Sequence, residues 1–157
     1  MNSYQKKAFG LVEVVIASAL LTLIVVGIQV VTQSALETSK KNLKETKAAF
    51  LLTEGAEAMR ILRDNAWSNV STLSTSTSYY LTFSTSTNNW RATTSPNTID
   101  NAYTRTVAVS DIVRDGSDNI ATSGTYDSGT KKVSVNVSWQ TLSGTTTKSL
   151  ELYLSNI

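Results

Sequence analysis

The sequence predicts an α+β chain of lollipop form, in which one long N-terminal helix carries a C-terminal antiparallel sheet of about four strands. Three observations predict it. Residues Phe9 to Val31 form an apolar run of 23 residues whose only formal charge is Glu13, and as a helix this run is about 35 Å long, enough to cross a hydrocarbon core. Beyond Gly10, no Pro and only Gly27 and Gly55 interrupt the chain as far as Ala66, so the helix is expected to continue past the apolar run. Further on, segments of alternating apolar and polar residues read as half-buried strands. The expected parts are a basic start (1–8), an assembly or membrane half of the helix (9–31), its outer half (32–67) and a Ser/Thr-rich β head (68–157).

Composition excludes several function classes. The chain has no Cys and no His, which removes thiol nucleophiles, disulfides, thiolate zinc sites and the commonest general base. No metal and no cofactor is expected, and the chain is not read as an enzyme. A net charge of +2 over 157 residues gives no electrostatic footprint for nucleic acid.

Lys6 and Lys7 precede the apolar run, and a positive flank there sets the N-terminus on the cytoplasmic side of a membrane. A secretory signal is the competing reading, with Ala17-Ser18-Ala19 as its cleavage site. Its apolar region should then give way to polar sequence, whereas here the run continues through Leu20-Leu21-Thr22-Leu23-Ile24. Glu13 read alone is a carboxylate snorkelling at the membrane edge or one waiting for a partner, since a buried charge there is costly.

After Val31 the helix becomes amphipathic. Leu36, Leu43 and Phe50 recur every seven residues, and Leu51, Ala58, Ile61 and Leu62 extend the apolar stripe. This stripe is expected to pack on the protein's own sheet, with a partner-helix seam as the alternative. The helix is expected to end near Arg63-Asp64-Asn65-Ala66-Trp67, with Trp67 capping the core. Four strands follow in the reading: Tyr79–Phe83 between Ser/Thr tracts, Tyr103–Val109, Val133–Trp139 and Leu150–Leu154. Pro96 marks a loop, and Gly144 lies in the turn of a hairpin joining the last two strands. Val133, Val135, Val137 and Trp139 should face the helix together with Leu150, Leu152 and Leu154.

The stretch Lys7-Ala8-Phe9-Gly10-Leu11-Val12-Glu13 resembles the processing motif of type IV prepilins and pseudopilins, typically Lys-Gly-Phe-Thr-Leu-Ile-Glu. The resemblance implies a leader peptide containing Lys6 and Lys7, a cut by a membrane prepilin peptidase between Ala8 and Phe9, and N-methylation of Phe9. It also implies that Glu13, fifth in the mature chain, docks on the amino terminus of a neighbouring subunit. The family's usual Gly before the bond is Ala8 here. A cut after Gly10 would restore that Gly but would place Glu13 third. A weaker resemblance covers Glu54–Trp67, which is similar to a Glu-Gly-x-Glu-Ala-x-Arg-x-x-Arg-Asp box of minor-pilin-like proteins. Its charges, three and four apart, read as surface ion pairs. The disulfide loop common in the family's major pilins is absent.

Two further patterns are open. Asp111, Asp115, Asp118, Asn119 and Asp127 form an acidic patch in a Gly-rich region, which oxygen-seeking calcium or plain turn formation would both explain. Asn69-Val70-Ser71 and Asn136-Val137-Ser138 match the N-glycosylation sequon.

The expected function is that of a structural subunit of a type IV pilus or pseudopilus. Its implied partners are copies of itself and other pilin subunits, the prepilin peptidase, an inner-membrane assembly platform and, before assembly, the lipid bilayer. The precursor would be a single-pass membrane protein and the assembled form extracellular. Leu20, Leu23, Val26 and Val30 would then make subunit contacts, with Gly27 a point of local loosening. The alternative is a membrane-anchored adhesin that does not polymerise and whose sheet recognises a surface.

Overall fold

The structure, a computed structural model, describes residues 3–141 and 144–157, with side chains from Gly10 onward. Helix α1 spans Ser3–Asn65 and runs unbroken through Gly27 and Gly55. A single turn, α2 (Ser68–Ser71), follows, and then strands β1 (Ser78–Ser84), β2 (Asn89–Thr93), β3 (Tyr103–Arg114), β4 (Ile120–Ala121), β5 (Thr125–Thr141) and β6 (Gly144–Ser155). The chain divides into two compact units between Glu45 and Thr46, so the sheet-bearing unit takes in the last part of α1.

The first unit is helix alone. From Gly10 to Leu43 every residue is exposed, and four hydroxyls in this stretch bond back within the helix: Ser18 donates to the Val15 carbonyl at 2.9 Å, Thr22 to Ser18 at 2.8 Å, Thr32 to Ile28 at 2.8 Å and Thr38 to Ser34 at 2.9 Å.

In the second unit the sheet has the order β2-β1-β3-β5-β6, all antiparallel, with β4 paired to β3. It therefore has six strands rather than the expected four. β2 was hidden because Asn89-Trp90-Arg91-Ala92-Thr93 is short and sits at the end of a Ser/Thr/Asn tract; Asn88, at φ 49°, makes the turn that returns it to β1. β4 has only two residues. β3 and β5 also run further than their alternation suggested, because a β-bulge between Asp111 and Ile112 lets the pairing resume at Ile112↔Asp127.

The core forms where β3 and β5 present alternate residues to the helix. Tyr103, Val107 and Val109 from β3 and Val133, Val135, Val137 and Trp139 from β5 pack with Ala48, Leu51, Leu52, Ala58, Met59 and Leu62 of α1. Trp67 lies against its rim. Leu154 is buried and Leu152 packs against the core, whereas Leu150 remains 37% exposed because β6 is the sheet edge.

One expectation is met only in part. Leu51, Ala58 and Leu62 of the expected stripe are buried on the sheet, whereas Phe50 and Leu43, both 71% exposed, and Leu36, 56% exposed, are not. The packed face runs through Leu51, Gly55, Met59 and Leu62, spaced four, four and three apart, and Gly55 lets the helix approach the sheet. Ile61, at 42% exposure, also lies off it.

Beyond the helix end, Asn69 Nδ2 donates to the Leu62 carbonyl at 3.1 Å, satisfying one of the last orphan acceptors. The β5–β6 hairpin forms as expected, with Thr141 paired to Gly144, whose φ of 121° requires glycine. Leu142 and Ser143 lie outside the described residues.

Met59 is fully buried and Phe50 is not, so the two truncations should separate the faces. Met59→Ala is expected to cost about 2–5 kcal/mol and Phe50→Ala less than about 0.5 kcal/mol, read from denaturant unfolding of the two variants beside the wild-type chain.

Candidate functional site

Two places concentrate the chemistry that the sequence singled out. The first is the apolar part of α1. From Leu11, 67% exposed, to Val31, 69% exposed, its large side chains are uncovered, and the helix is long and apolar enough to be a candidate membrane span. Glu13 stands on this surface with no ion pair or hydrogen bond within the described residues. The leader residues Lys6 and Lys7, and the Ala8–Phe9 bond with its proposed methylation at Phe9, lie outside the described side chains. What is present is therefore one carboxylate on an uncovered apolar helix, an arrangement whose charge is costly in lipid or protein unless paired.

The second place is the Glu54–Trp67 box, which proves to be a latch between helix and sheet. Arg105, in the middle of β3, points inward and is only 3% exposed. Its Nη1 donates to Glu54 Oε2 at 2.7 Å and to the Leu51 carbonyl at 3.3 Å, while its guanidinium lies 5.2 Å from the centre of the Trp90 ring. Gly55 is the clearance this needs: a Cβ there would stand 2.7 Å from Val135 Cγ1 and 3.0 Å from Arg105 Cδ. Ala58, one turn on, has no exposed surface. The other charges in the box are local surface pairs, as expected. Arg60 bridges Glu57, and Arg63 bridges Asp64 at 2.7 Å. Asn65 donates to Asn89 Oδ1 at 2.9 Å, tying the helix end to β2. No nucleophile and base are brought together here. Sequence reasoning passed over Arg105, although its place in the inward series Tyr103, Arg105, Val107, Val109 was a signal that a charge would need a partner.

The acidic patch resolves into ion pairs and turns. Asp111 bridges Lys131, itself 5% exposed, and Arg114 Nε donates to Asp127 Oδ2 at 2.7 Å. Arg114 also donates to the Asp118 carbonyl at 2.8 Å. Asp115 closes its own turn, accepting from the backbone N–H of Ser117 at 2.8 Å and of Asn119 at 3.0 Å. Among the described residues no group of three or more carboxylates is placed to hold a metal ion, so turn formation and pairing account for the patch. The Arg114 hydrogen bond, with those of Thr130 and the Gly129 N–H, holds the Asp127 carboxyl below its usual range, and backbone N–H donors do the same for Asp115.

Neither sequon stands as a free asparagine. Asn69 caps α1, and Asn136 Oδ1 accepts from Ser149 at 2.6 Å within the sheet. Comparison with known proteins adds no relative: no family model, no curated protein and no solved structure matches this chain.

Two outcomes test the site as described. Glu54 is half-exposed but Arg105 is not, so Glu54→Ala, which leaves the buried cation without its anion, is expected to cost about 3 kcal/mol or more. Arg105→Met should cost less, because the released carboxylate is solvated; calorimetric unfolding of both variants gives the order. For the distal hairpin, the lowered carboxyls of Asp115 and Asp127 contribute stability that is present above the ordinary carboxylate pKa and lost as pH falls through their lower folded values. Amide exchange at Ser117, Asn119 and Gly129 should accelerate in that acid window beyond its intrinsic pH dependence. Asp127→Asn should abolish the extra acceleration at Gly129 while leaving that at Ser117.

Proposed function

We propose that the chain is a structural subunit of a type IV pilus or pseudopilus, made as a membrane-anchored precursor and polymerised through α1. The observation that carries this reading is the uncovered apolar surface from Leu11 to Val31 bearing one carboxylate, Glu13, that has no partner among the described residues. A membrane anchor needs the apolar surface but has no use for the charge. A filament needs both, because a carboxylate held in apolar surroundings stabilises only the register that brings a cation to it.

In this reading prepilin peptidase cuts between Ala8 and Phe9 and the new amino terminus is methylated, leaving Glu13 fifth. The amino group of one subunit then pairs with Glu13 of the next. Lys6 and Lys7 hold the leader on the cytoplasmic side until the cut. Leu20, Leu23, Val26 and Val30 exchange lipid for neighbouring helices as the subunit leaves the membrane for the assembly platform. The sheet-bearing unit becomes part of the outer surface, and its role is structural rather than catalytic. The motif at Lys7–Glu13 supports this assignment over a plain anchor, since it supplies the peptidase site at the spacing that Glu13 requires.

Glu13→Ala separates filament subunit from anchored adhesin. The subunit should still accumulate in the membrane, while the sheared filament fraction falls by about tenfold or more, as expected for loss of a pairing worth at least 1.4 kcal/mol. Unchanged surface display and function in this variant would instead identify a non-polymerising adhesin. Intact mass of the cellular protein provides the second check: a methylated Phe9 start is expected, and a Met1 start or a start after Ala19 would overturn the processing scheme.

A further inference from the structure

We infer that the two open edges of the sheet join neighbouring copies of this chain head to tail, with β6 of one copy beside β2 of the next. Among the described residues no strand pairs with the far side of β2 or of β6. Each of the two stands two antiparallel steps from β3, so they run in the same direction. Copies repeated without turning over therefore set β6 and β2 side by side as a parallel pair.

β6 carries few of the devices that keep an edge from pairing with another chain. It is 12 residues long, its pairing with β5 is unbroken from Gly144 to Ser155, and it contains neither Pro nor a bulge. Its lysine, Lys148, falls outside the length that the five residues of β2 match.

One register matches the two edges on both faces. On the face away from α1, Arg91 of β2 is exposed and has no ion pair or hydrogen bond among the described residues. On the same face Glu151 binds Lys132 through Oε1 at 2.8 Å and remains 56% exposed, which leaves Oε2 for a second cation. Setting Arg91 beside Glu151 places that carboxylate between two cations. The same register sets Leu150 beside Trp90 and Leu152 beside Ala92 on the face toward α1, and Tyr153 beside Thr93 on the other. Leu150 is uncovered at its edge, and at the opposite edge Trp90 and the exposed Phe83 meet edge to face with ring centres 5.4 Å apart. A slip of one residue would set Arg91 against leucine and undo both matches.

The alternative use of such an edge is a two-fold pairing of β6 with β6. That pairing is antiparallel, leaves Arg91 alone and turns the partner's length of α1 on the sheet end for end. Subunits polymerised through α1 share one direction, so the head-to-tail joint rests on the filament reading. Its two patches differ, and it therefore repeats from subunit to subunit without closing on itself.

The chain has no Cys, so pairs of introduced cysteines test the joint in the full chain, in filaments sheared from cells and then oxidised. Thr93→Cys with Tyr153→Cys should give a ladder of disulfide-linked multimers in denaturing gels, because adjacent strands lie about 4.8 Å apart, within disulfide reach. Asn89→Cys with Ser149→Cys should give the same ladder, and carries the test if the first pair lowers the filament yield. Neither Thr93→Cys nor Tyr153→Cys should cross-link alone. Adding Arg91→Glu should slow the ladder by about fivefold, as exchange of an exposed attraction for a repulsion allows, whereas Arg91→Lys should not. Filaments that form but give no ladder overturn the joint and leave the filament reading in place. Absence of filaments from the wild-type chain overturns that reading and the joint with it. Dimers from Tyr153→Cys alone would show the two-fold pairing instead. A ladder as fast with Thr87→Cys in place of Thr93→Cys, or unchanged by Arg91→Glu, would also overturn the inference.

Discussion

The docking of α1 on the sheet depends on a single close approach. Arg105 occupies the interior because Gly55 has no side chain to exclude its stem and Glu54, one residue earlier, stands ready to neutralise its head. Each part is conditional on the others. A larger residue at 55 would push against Val135, a fully buried β-branched side chain with little rotamer freedom. Without Trp90 the guanidinium would lose the ring it rests on. Arg105 Nε has no hydrogen-bond partner in this packing, which adds a desolvation cost that the Glu54 bond and the ring contact must offset. Such an ion pair is a poor source of net stability but a strong constraint on register, because sliding the helix by one turn would strand the charge.

From that contact the two faces of the sheet acquire different side chains. β5 is the strand that carries both, pairing with β3 on one side and β6 on the other. Its odd residues, Val133, Val135 and Val137, are wholly buried, and its even residues, Ser134, Asn136 and Ser138, are polar and partly exposed on the face away from the core. The alternation ends at Lys131, which continues the inward series as a charge and is met by Asp111 from β3. Beyond this pair the bulge leaves Ser128, Gly129 and Thr130 out of the β3 ladder, while Thr130 stays buried and paired with Ser155 of β6, and Asp127 binds both Arg114 and the Gly129 N–H. Paired charge thus closes the inward series of β5 at Lys131, and the charge within the core, Arg105, sits between Tyr103 and Val107.

How much of this could be read from the chain follows from the range of the forces involved. The long helix, the hairpin at Gly144 and the inward set Val133 to Trp139 were legible because each rests on a local period or a local turn residue. Trp67 was legible because an aromatic just past a helix end has little else to cover but the core. The seven-residue stripe misled at Phe50, which satisfies a helical period but lies off the face that docks; that face carries Leu51, Leu52, Met59 and Leu62 around Gly55, where the close approach to Val135 and Arg105 is made. Leu36 and Leu43 fall in the unit that bears no sheet. A period finds a stripe but not the point where the backbones come close. β2 and the extensions of β3 and β5 were not legible because they are stabilised by pairing with strands distant in sequence, which no local pattern in Asn89–Thr93 or Asp111–Asp127 reports. For the acidic patch, the sequence favoured turns over a metal but could not name the partners, because Arg114 and Lys131 meet Asp127 and Asp111 only through the pairing of β3 with β5.

Glu54 and Glu13 make the last comparison. Both are carboxylates on the same helix, and one rule bears on each: a charge removed from water is tolerated only beside its opposite, and in the Glu54 pair the charge so removed is that of Arg105, 3% exposed, while Glu54 keeps contact with solvent. For Glu54 the opposite charge is supplied by the chain itself, at Arg105, and the consequence is internal, a helix held in one register on its sheet. For Glu13 the described part of the chain supplies none, while the helix surface that follows it is apolar for several turns, as far as Val31. With no opposite charge beside it among the described residues, the cost of that carboxylate depends on what covers the apolar surface next to it. One rule therefore bears twice on the helix: at Arg105 it is met within the chain, and at Glu13 it turns on what the helix lies against.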